Sequence, residues 1–192
     1  MLAEVDISGV YLETPRMILR PWRILDLDDL NAYASVPGVG EMAGWSHHRS
    51  REESLKILEM FIREKKTMAL ELKENGKVIG SLGLENFSPQ DIHGVEMRGR
   101  EIGYVLSRDY WGRGLMAEAV KAVMEYCFSV LCYDYLTCSH FLRNHQSRRV
   151  IEKCGFCFVK ENSFDTQYGT REITRYYVKY NPKQEREGKC LI

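Results

Sequence analysis

Two stretches of the sequence hold residue types at spacings that can do chemistry. The first is Arg108 to Val120, RDYWGRGLMAEAV, where Gly112 and Gly114 flank Arg113 and an alanine-rich apolar run follows. A strand that ends in a glycine turn and opens a helix presents unpaired backbone N–H groups and the positive end of the helix dipole. Such a turn holds an anion, readily a phosphate. Its glycines let the ligand approach the backbone, and Arg113 adds charge. The same residues also suit a plain strand-to-helix turn, and spacing alone leaves both readings open. The second stretch is Cys154-Gly-Phe-Cys157. A zinc site needs two further ligands at compatible spacing, and the other cysteines and histidines, His47 and His48 included, form no second half-site. These cysteines read as structural, and no metal is expected.

The elements that must position the glycine turn follow from periodicity. Arg16–Trp22 reads as a first strand. Asp26 is placed to cap a helix through Leu27, Leu30 and Ala34, and Ser50-Arg-Glu-Glu53 has capping-box spacing before Leu55, Leu58 and Ile62. The period then changes to two over residues 68–72. Asn75-Gly76 predicts a type I′ turn, and a partner strand returns over 78–87. Residues 88–99 read as a loop. In the strand 101–107, Ile102, Tyr104 and Leu106 share one face while Glu101, Gly103 and Val105 share the other. A mostly buried helix over 116–131 carries one narrow polar stripe: Glu118, Lys121, Glu125 and Ser129. A strand over 135–142, a short helix over 145–154 stopped by Gly155, and strands over 156–160 and 172–180 complete the order. The pattern predicts one α/β (α+β) domain over residues 1–180, with a polar tail over 181–192.

The bulk numbers exclude several classes. Twenty-seven basic and 27 acidic residues cancel, so no overall basic field points to nucleic acid. No apolar run approaches the roughly 18 residues that span a bilayer, and no signal-peptide core opens the chain. Cys190 is third from the end, where prenylation needs it fourth. The expectation is a cytoplasmic protein with reduced thiols, without a membrane or nucleic-acid partner.

A P-loop needs GxxxxGK[ST], which is absent. In the dinucleotide fingerprint GxGxxG, Ala117 stands at the third glycine and Asp134 at the distance of the acidic residue. The strand before the loop, however, follows a hairpin rather than opening the fold, which weakens that option.

YWGRGLMAEAV resembles the acyl-CoA pyrophosphate loop of GNAT-type N-acetyltransferases, Q/R-x-x-G-x-G/A. Aligned on Gly114, the motif's first position falls on Trp111 and its last on Met116, and both depart from it. The YWG-basic-G form, the segment NHQSRRVIEKCGF (Asn144 to Phe156) and TPRMILRPW near the start are similar to ribosomal-protein N-terminal acetyltransferases of the RimJ/RimL type. The resemblance spans Thr14 to about Tyr180. It places Cys154 at a helix-packing position. It implies a single GNAT domain, a mixed and mostly antiparallel sheet with helices on both faces, that moves an acetyl group from acetyl-CoA directly to an amine between two splayed strands. The acceptor it implies first is a protein N-terminus. A small-molecule amine such as a polyamine, amino acid or aminoglycoside stays open, as do a homodimer and a CoA-binding module without catalysis.

The resemblance also carries roles. Amides of Arg113, Gly114, Leu115 and Met116, beside Trp111 and Gly112, would hold the pyrophosphate. A backbone N–H near Val105 or Leu106 would face the thioester oxygen. Asn144, with Ser147 nearby, would serve the pantetheine arm or help order the site; its residue type and position also suit the N-cap of the short helix, and the two roles are compatible. Glu101 would be the base, and Trp45 in GWSHH (Gly44 to His48) would contact the acceptor. Ile151 stands where many members carry a tyrosine acid, so the acid is unassigned. An α-amine, pKa about 7.7–8.0, costs roughly 1 kcal/mol to deprotonate at pH 7, against about 4.6 for a lysine, so a base helps either acceptor.

Overall fold

The computed structural model describes residues 3–86 and 97–183. The chain forms β1 (Leu12–Glu13), β2 (Met17–Pro21), α1 (Leu27–Ala34), α2 (Arg51–Glu64), β3 (Thr67–Leu72), β4 (Val78–Glu85), β5 (Gly99–Leu106), α3 (Leu115–Ser129), β6 (Tyr135–Phe141), α4 (His145–Lys153), β7 (Cys157–Asp165) and β8 (Arg171–Tyr180). The strands make one eight-stranded sheet in the order β1-β2-β3-β4-β5-β6-β8-β7. All neighbours are antiparallel except β5 and β6.

That parallel pair is brief. Its register runs Gly99↔Tyr135, Arg100↔Leu136 and Glu101↔Thr137, and stops there. On its other side β5 stays paired with β4 as far as Gly80↔Leu106, while β6 stays paired with β8 as far as Phe141↔Thr174. Each strand follows its outer neighbour, so a wedge opens between Ile102–Leu106 and Cys138–Phe141.

Two cores hold the sheet from opposite faces. Ile102 and Leu106 join Leu115, Val120, Val123 and Ile151 under α3 and α4. Ala69, Val78 and the partly buried Val105 join Leu27, Leu30 and Leu58 under α1 and α2. The two-residue alternation thus puts Glu101, Gly103 and Val105 on the α1/α2 face.

Local chemistry departs from the sequence expectation at two turns. Asp26 makes no side-chain cap. Its carboxylate instead takes a two-pronged ion pair from the buried Arg20 guanidinium, at 2.8 Å each, and the Arg23 N–H, while Glu71 takes Arg20 Nε at 2.5 Å. A buried guanidinium demands such partners more strongly than a helix end demands a cap. At the β3–β4 turn only Gly76 has positive φ (72°), so the type I′ geometry is absent. The Asn75 side chain accepts from Lys77 N instead, and Leu72 N–H reaches Lys77 O. Ser50 does cap α2 through Glu53 N–H, but Glu53 returns its carboxylate to Arg49 N–H rather than to Ser50. The expected loop over 88–99 lies mostly outside the described residues, as does most of the tail. β7 runs five residues past its expected end, to Asp165.

Replacing Asp26 with alanine leaves Arg20 buried with one anion instead of two. Urea denaturation is expected to show a loss of about 3–5 kcal/mol, the cost of breaking a buried pair.

Candidate active site

The wedge between β5 and β6 opens into a cavity of about 680 Å³ that crosses the sheet. One half is built by the strand-to-helix turn. Gly112 and Gly114 have φ of 76° and 77°, a conformation that costs a glycine almost nothing. A Cβ at Gly112 would meet nothing within 4 Å, so the requirement there is backbone shape. Gly114 caps α3 with its backbone alone, and Glu118 N–H is the first in the helix to reach back, to Gly114 O. The amides of Leu115, Met116 and Ala117 are therefore free of helical partners, and all three residues line the cavity. Arg16 secures the turn: it donates to Arg113 O and pairs with Glu118. The Arg113 side chain lies over the Tyr110 ring at 5.1 Å and does not line the cavity, so this residue can offer its amide but does not aim its charge inward.

The middle of the site is the unpaired edge of β5. Ser107 N–H donates to Ile79 O, and with Ser81↔Val105 in register, alternation turns the Val105 main chain toward β4. Tyr104 and Leu106 present theirs to the wedge, where among the described residues no strand meets them. Of the two amides expected to face a thioester, that of Leu106 points into the wedge and that of Val105 points to β4. Trp111 fixes this edge, since its indole N–H donates to Leu106 O at 2.7 Å. On the α4 side, Asn144 is the N-cap: its side-chain oxygen accepts from Ser147 N–H, and its amide group donates to Met42 O. Ser147 Oγ bonds the Tyr104 hydroxyl at 2.8 Å. Burial holds the Tyr104 phenol well above its ordinary range. Ile151 is buried in the core.

The other half holds Glu85, Glu101, Ser139, Phe141, Phe164 and Thr174. Glu101 accepts from Ser139 Oγ at 2.6 Å. Burial pushes its carboxyl above the usual carboxylate range and Glu85 adds to this, while the Ser139 hydrogen bond works the other way. Thr174 is buried, and its hydroxyl has no hydrogen-bond partner among the described residues. Residues 38–44 roof this half, with Gly38 and Gly44 at φ of 91° and 92°. Arg143 and the Tyr168 hydroxyl both donate to Glu41 O, Asn144 holds Met42 O, and Gln167 N–H donates to Gly44 O. Trp45 is not among the lining residues. It packs on Gly40, leaving no room for a Cβ there, and against the buried His48 ring at 5.2 Å. Met42 and Ala43 line the cavity where Trp45 was expected. His47 pairs with Glu41 and helps shape the roof. Cys154 is buried, its thiol pushed up to about 11 and donating to Ala117 O, so it is a poor thiolate.

A family model for the acetyltransferase (GNAT) domain matches residues 16–157, which takes in the turn, both splayed strands and the whole of α4. The chain belongs to the GNAT acetyltransferase family. An uncharacterized N-acetyltransferase, p20, of Bacillus licheniformis is 26% identical over 151 residues, 76% of this chain and 81% of that protein. Among solved structures, a putative ribosomal-protein-serine acetyltransferase from Vibrio cholerae superposes with a TM-score of 0.74 at 14% identity, covering 90% of this chain and 98% of that one. Microcin C7 self-immunity acetyltransferase MccE, solved with acetyl-CoA and AMP, gives 0.73 at 16% identity, covering 92% and 99%. In this GNAT domain the wedge and the glycine turn are one continuous cavity.

Sequence reasoning missed Glu85, Ser139, Arg143 and Thr174. Glu85 was recoverable, since it lies on the hairpin strand that pairs with β5. Arg143 was not, because nothing in its sequence surroundings shows that the roof lies above it. Arg143→Ala removes one of the two donors to Glu41 O. Amide exchange at Gly38 and His47, both held by the Glu41 side chain, is expected to quicken at least about tenfold while exchange in β5 stays unchanged.

Proposed function

We propose that this GNAT domain transfers the acetyl group of acetyl-CoA to a primary amine in the wedge, with Glu101 as base. The observation that carries this reading is the juxtaposition on β5: a partly buried carboxylate at one end of the unpaired stretch and the free Leu106 amide at the other, five residues apart, in line with uncapped helix amides. Amides of Gly114, Leu115 and Met116, with those of Gly112 and Arg113, are the donors for the pyrophosphate, an anion of the kind a helix N-terminus attracts. Leu106 N–H is the preorganised donor for the oxygen that gains charge as the amine adds to the thioester carbon. The amine loses a proton to Glu101, its nitrogen bonds the carbonyl carbon, the C–S bond breaks, and the sulfur leaves as a thiolate with conjugate pKa near 8.5. Trp111 orients Leu106, and Asn144 and Ser147 order the α4 wall beside the cofactor arm.

The acceptor named first by branch similarity is a polypeptide N-terminus. One observation favours a compact amine instead: residues 38–44, latched by Arg143, Asn144, Tyr168 and Gln167, cover the acceptor half. A polypeptide would have to enter past all of these contacts.

Free thiol release from acetyl-CoA, measured with an alanyl peptide, spermidine, lysine and an aminoglycoside, tests the reaction and ranks these classes. Glu101→Gln is expected to lower kcat/KM by about 100-fold or more with the Kd for acetyl-CoA unchanged, the usual worth of a positioned base. Full activity in that variant at neutral pH would remove Glu101 from the role. Because burial raises the Glu101 carboxyl, the acid limb of kcat/KM is expected above the normal range for a glutamate, with activity rising as pH rises through it. Arg16→Ala is expected to weaken acetyl-CoA binding about three- to tenfold by calorimetry, since it frees the Glu118 carboxylate at the helix end where the diphosphate belongs.

A further inference from the structure

Glu101 does not face the cavity alone. Glu85 is its direct cross-strand partner on β4, and opposite residues in an antiparallel pair hold their Cβ atoms about 4.5–5.5 Å apart. The next pair along the same face is Gly83↔Gly103. A Cβ on Gly83 would sit 2.5 Å from Glu85 Oε1, and one on Gly103 would sit 3.4 Å from Glu85 Cγ. The two glycines therefore make a floor on which the Glu85 side chain lies flat, beside Glu101 and within the cavity. Any larger residue at Gly83 would lift it off. Lys66 then tethers its far oxygen, with Nζ 2.9 Å from Glu85 Oε2 and also 2.9 Å from Glu64 Oε2. One cation is thus shared between two carboxylates, so Glu85 is only partly compensated.

The charged and titratable groups around Glu101 can be named. From β4 comes Glu85, and through it Lys66 and Glu64. From β6 come the Ser139 hydroxyl, which donates to it, and the neighbouring Cys138 thiol. Tyr176 on β8 lines the same cavity. Arg100, next in sequence, is turned to the opposite face, where it bonds Ala3 O and Asn86.

Resting on the reading of Glu101 as base, we propose that Glu85 is a positioning residue for proton removal: held on the Gly83–Gly103 floor by Lys66, it sets the pH at which Glu101 takes the proton of the incoming amine. The Glu85 carboxylate disfavours a second negative charge beside it, so Glu101 holds a proton more tightly than its burial alone would make it. Lys66 works against Glu85 and limits the effect. In the step itself the ammonium proton passes to the Glu101 carboxylate, the neutral amine forms the new C–N bond as the C–S bond breaks, the second N–H proton goes to the departing thiolate, and Glu101 afterwards releases its own proton to solvent.

The signs of two substitutions are opposite, which separates this from a packing role. Glu85→Gln removes the like charge, and the acid limb of kcat/KM is expected to move down by at least about half a pH unit. Lys66→Gln leaves Glu85 uncompensated, and the limb is expected to move up by a similar amount. The limb is read by thiol release with the fastest acceptor of the amine panel. In parallel, the Glu101 carboxyl is titrated by NMR on ¹³C-glutamate-labelled protein, its signal assigned by its loss in Glu101→Gln. Opposite shifts seen both in the titration and in the limb support the proposal. A Glu101 titration that neither variant moves, or a titration that moves while the limb stays fixed, overturns it. Failure of the base reading shows up separately, as an undiminished rate in Glu101→Gln, whatever the NMR titration reports.

Discussion

The site depends on a disagreement between two strands about whom to follow. β5 and β6 share only three register pairs, from Gly99↔Tyr135 to Glu101↔Thr137, and then each stays with its outer partner. Unpaired main-chain groups inside a sheet are normally costly. Here the wedge places the Leu106 amide and carbonyl where no strand can pair with them, and the protein meets part of that cost with the Trp111 indole on Leu106 O. The amide left over is the one proposed above as donor to the thioester oxygen. The same divergence lets α3 and α4 face the gap from one side and the roof segment from the other. Continuing the pairing as far as Leu106 would bury that amide in a ladder and close the gap.

The electrostatics of the two halves differ in kind. The turn at residues 112–116 presents backbone dipoles suited to an anion, and its acidic neighbour Glu118 is occupied by Arg16. The acceptor half concentrates carboxylates, Glu85 and Glu101, on a floor kept low by two glycines. Unpartnered helix amides and a pair of carboxylates thus stand at opposite ends of one cavity. Direct transfer suits this arrangement. The buried Cys138 and Cys154 thiols are both held above their ordinary range by burial and offer no ready covalent way station.

Much of this was legible in the sequence because it rests on short-range chemistry. The hydrophobic alternation of residues 101–106 placed Glu101 on the correct face, and the α4 cap at Asn144 followed from residue type. The positive φ of Gly112 and Gly114 agrees with the Gly-Arg-Gly reading. What escaped depends on chain segments far apart in sequence. Asp26 was read as a cap because nothing nearby shows that Arg20 would be buried beside it. Trp45 was placed at the acceptor because its type suits a ligand, whereas its ring is needed to pack on Gly40. Val105 and Leu106 could not be separated, since which amide faces the wedge depends on the β4 register. Glu85 gained meaning only when that register set it opposite Glu101.

Asn144 does two things with one side chain: its oxygen caps α4 and its nitrogen holds the carbonyl of Met42 in the roof. The first turn of α4, which borders the cofactor's half, and the cover over the acceptor's half are thus mechanically one object. A displacement of either segment is therefore felt by the other. That coupling runs through a single amide group and acts equally in both directions.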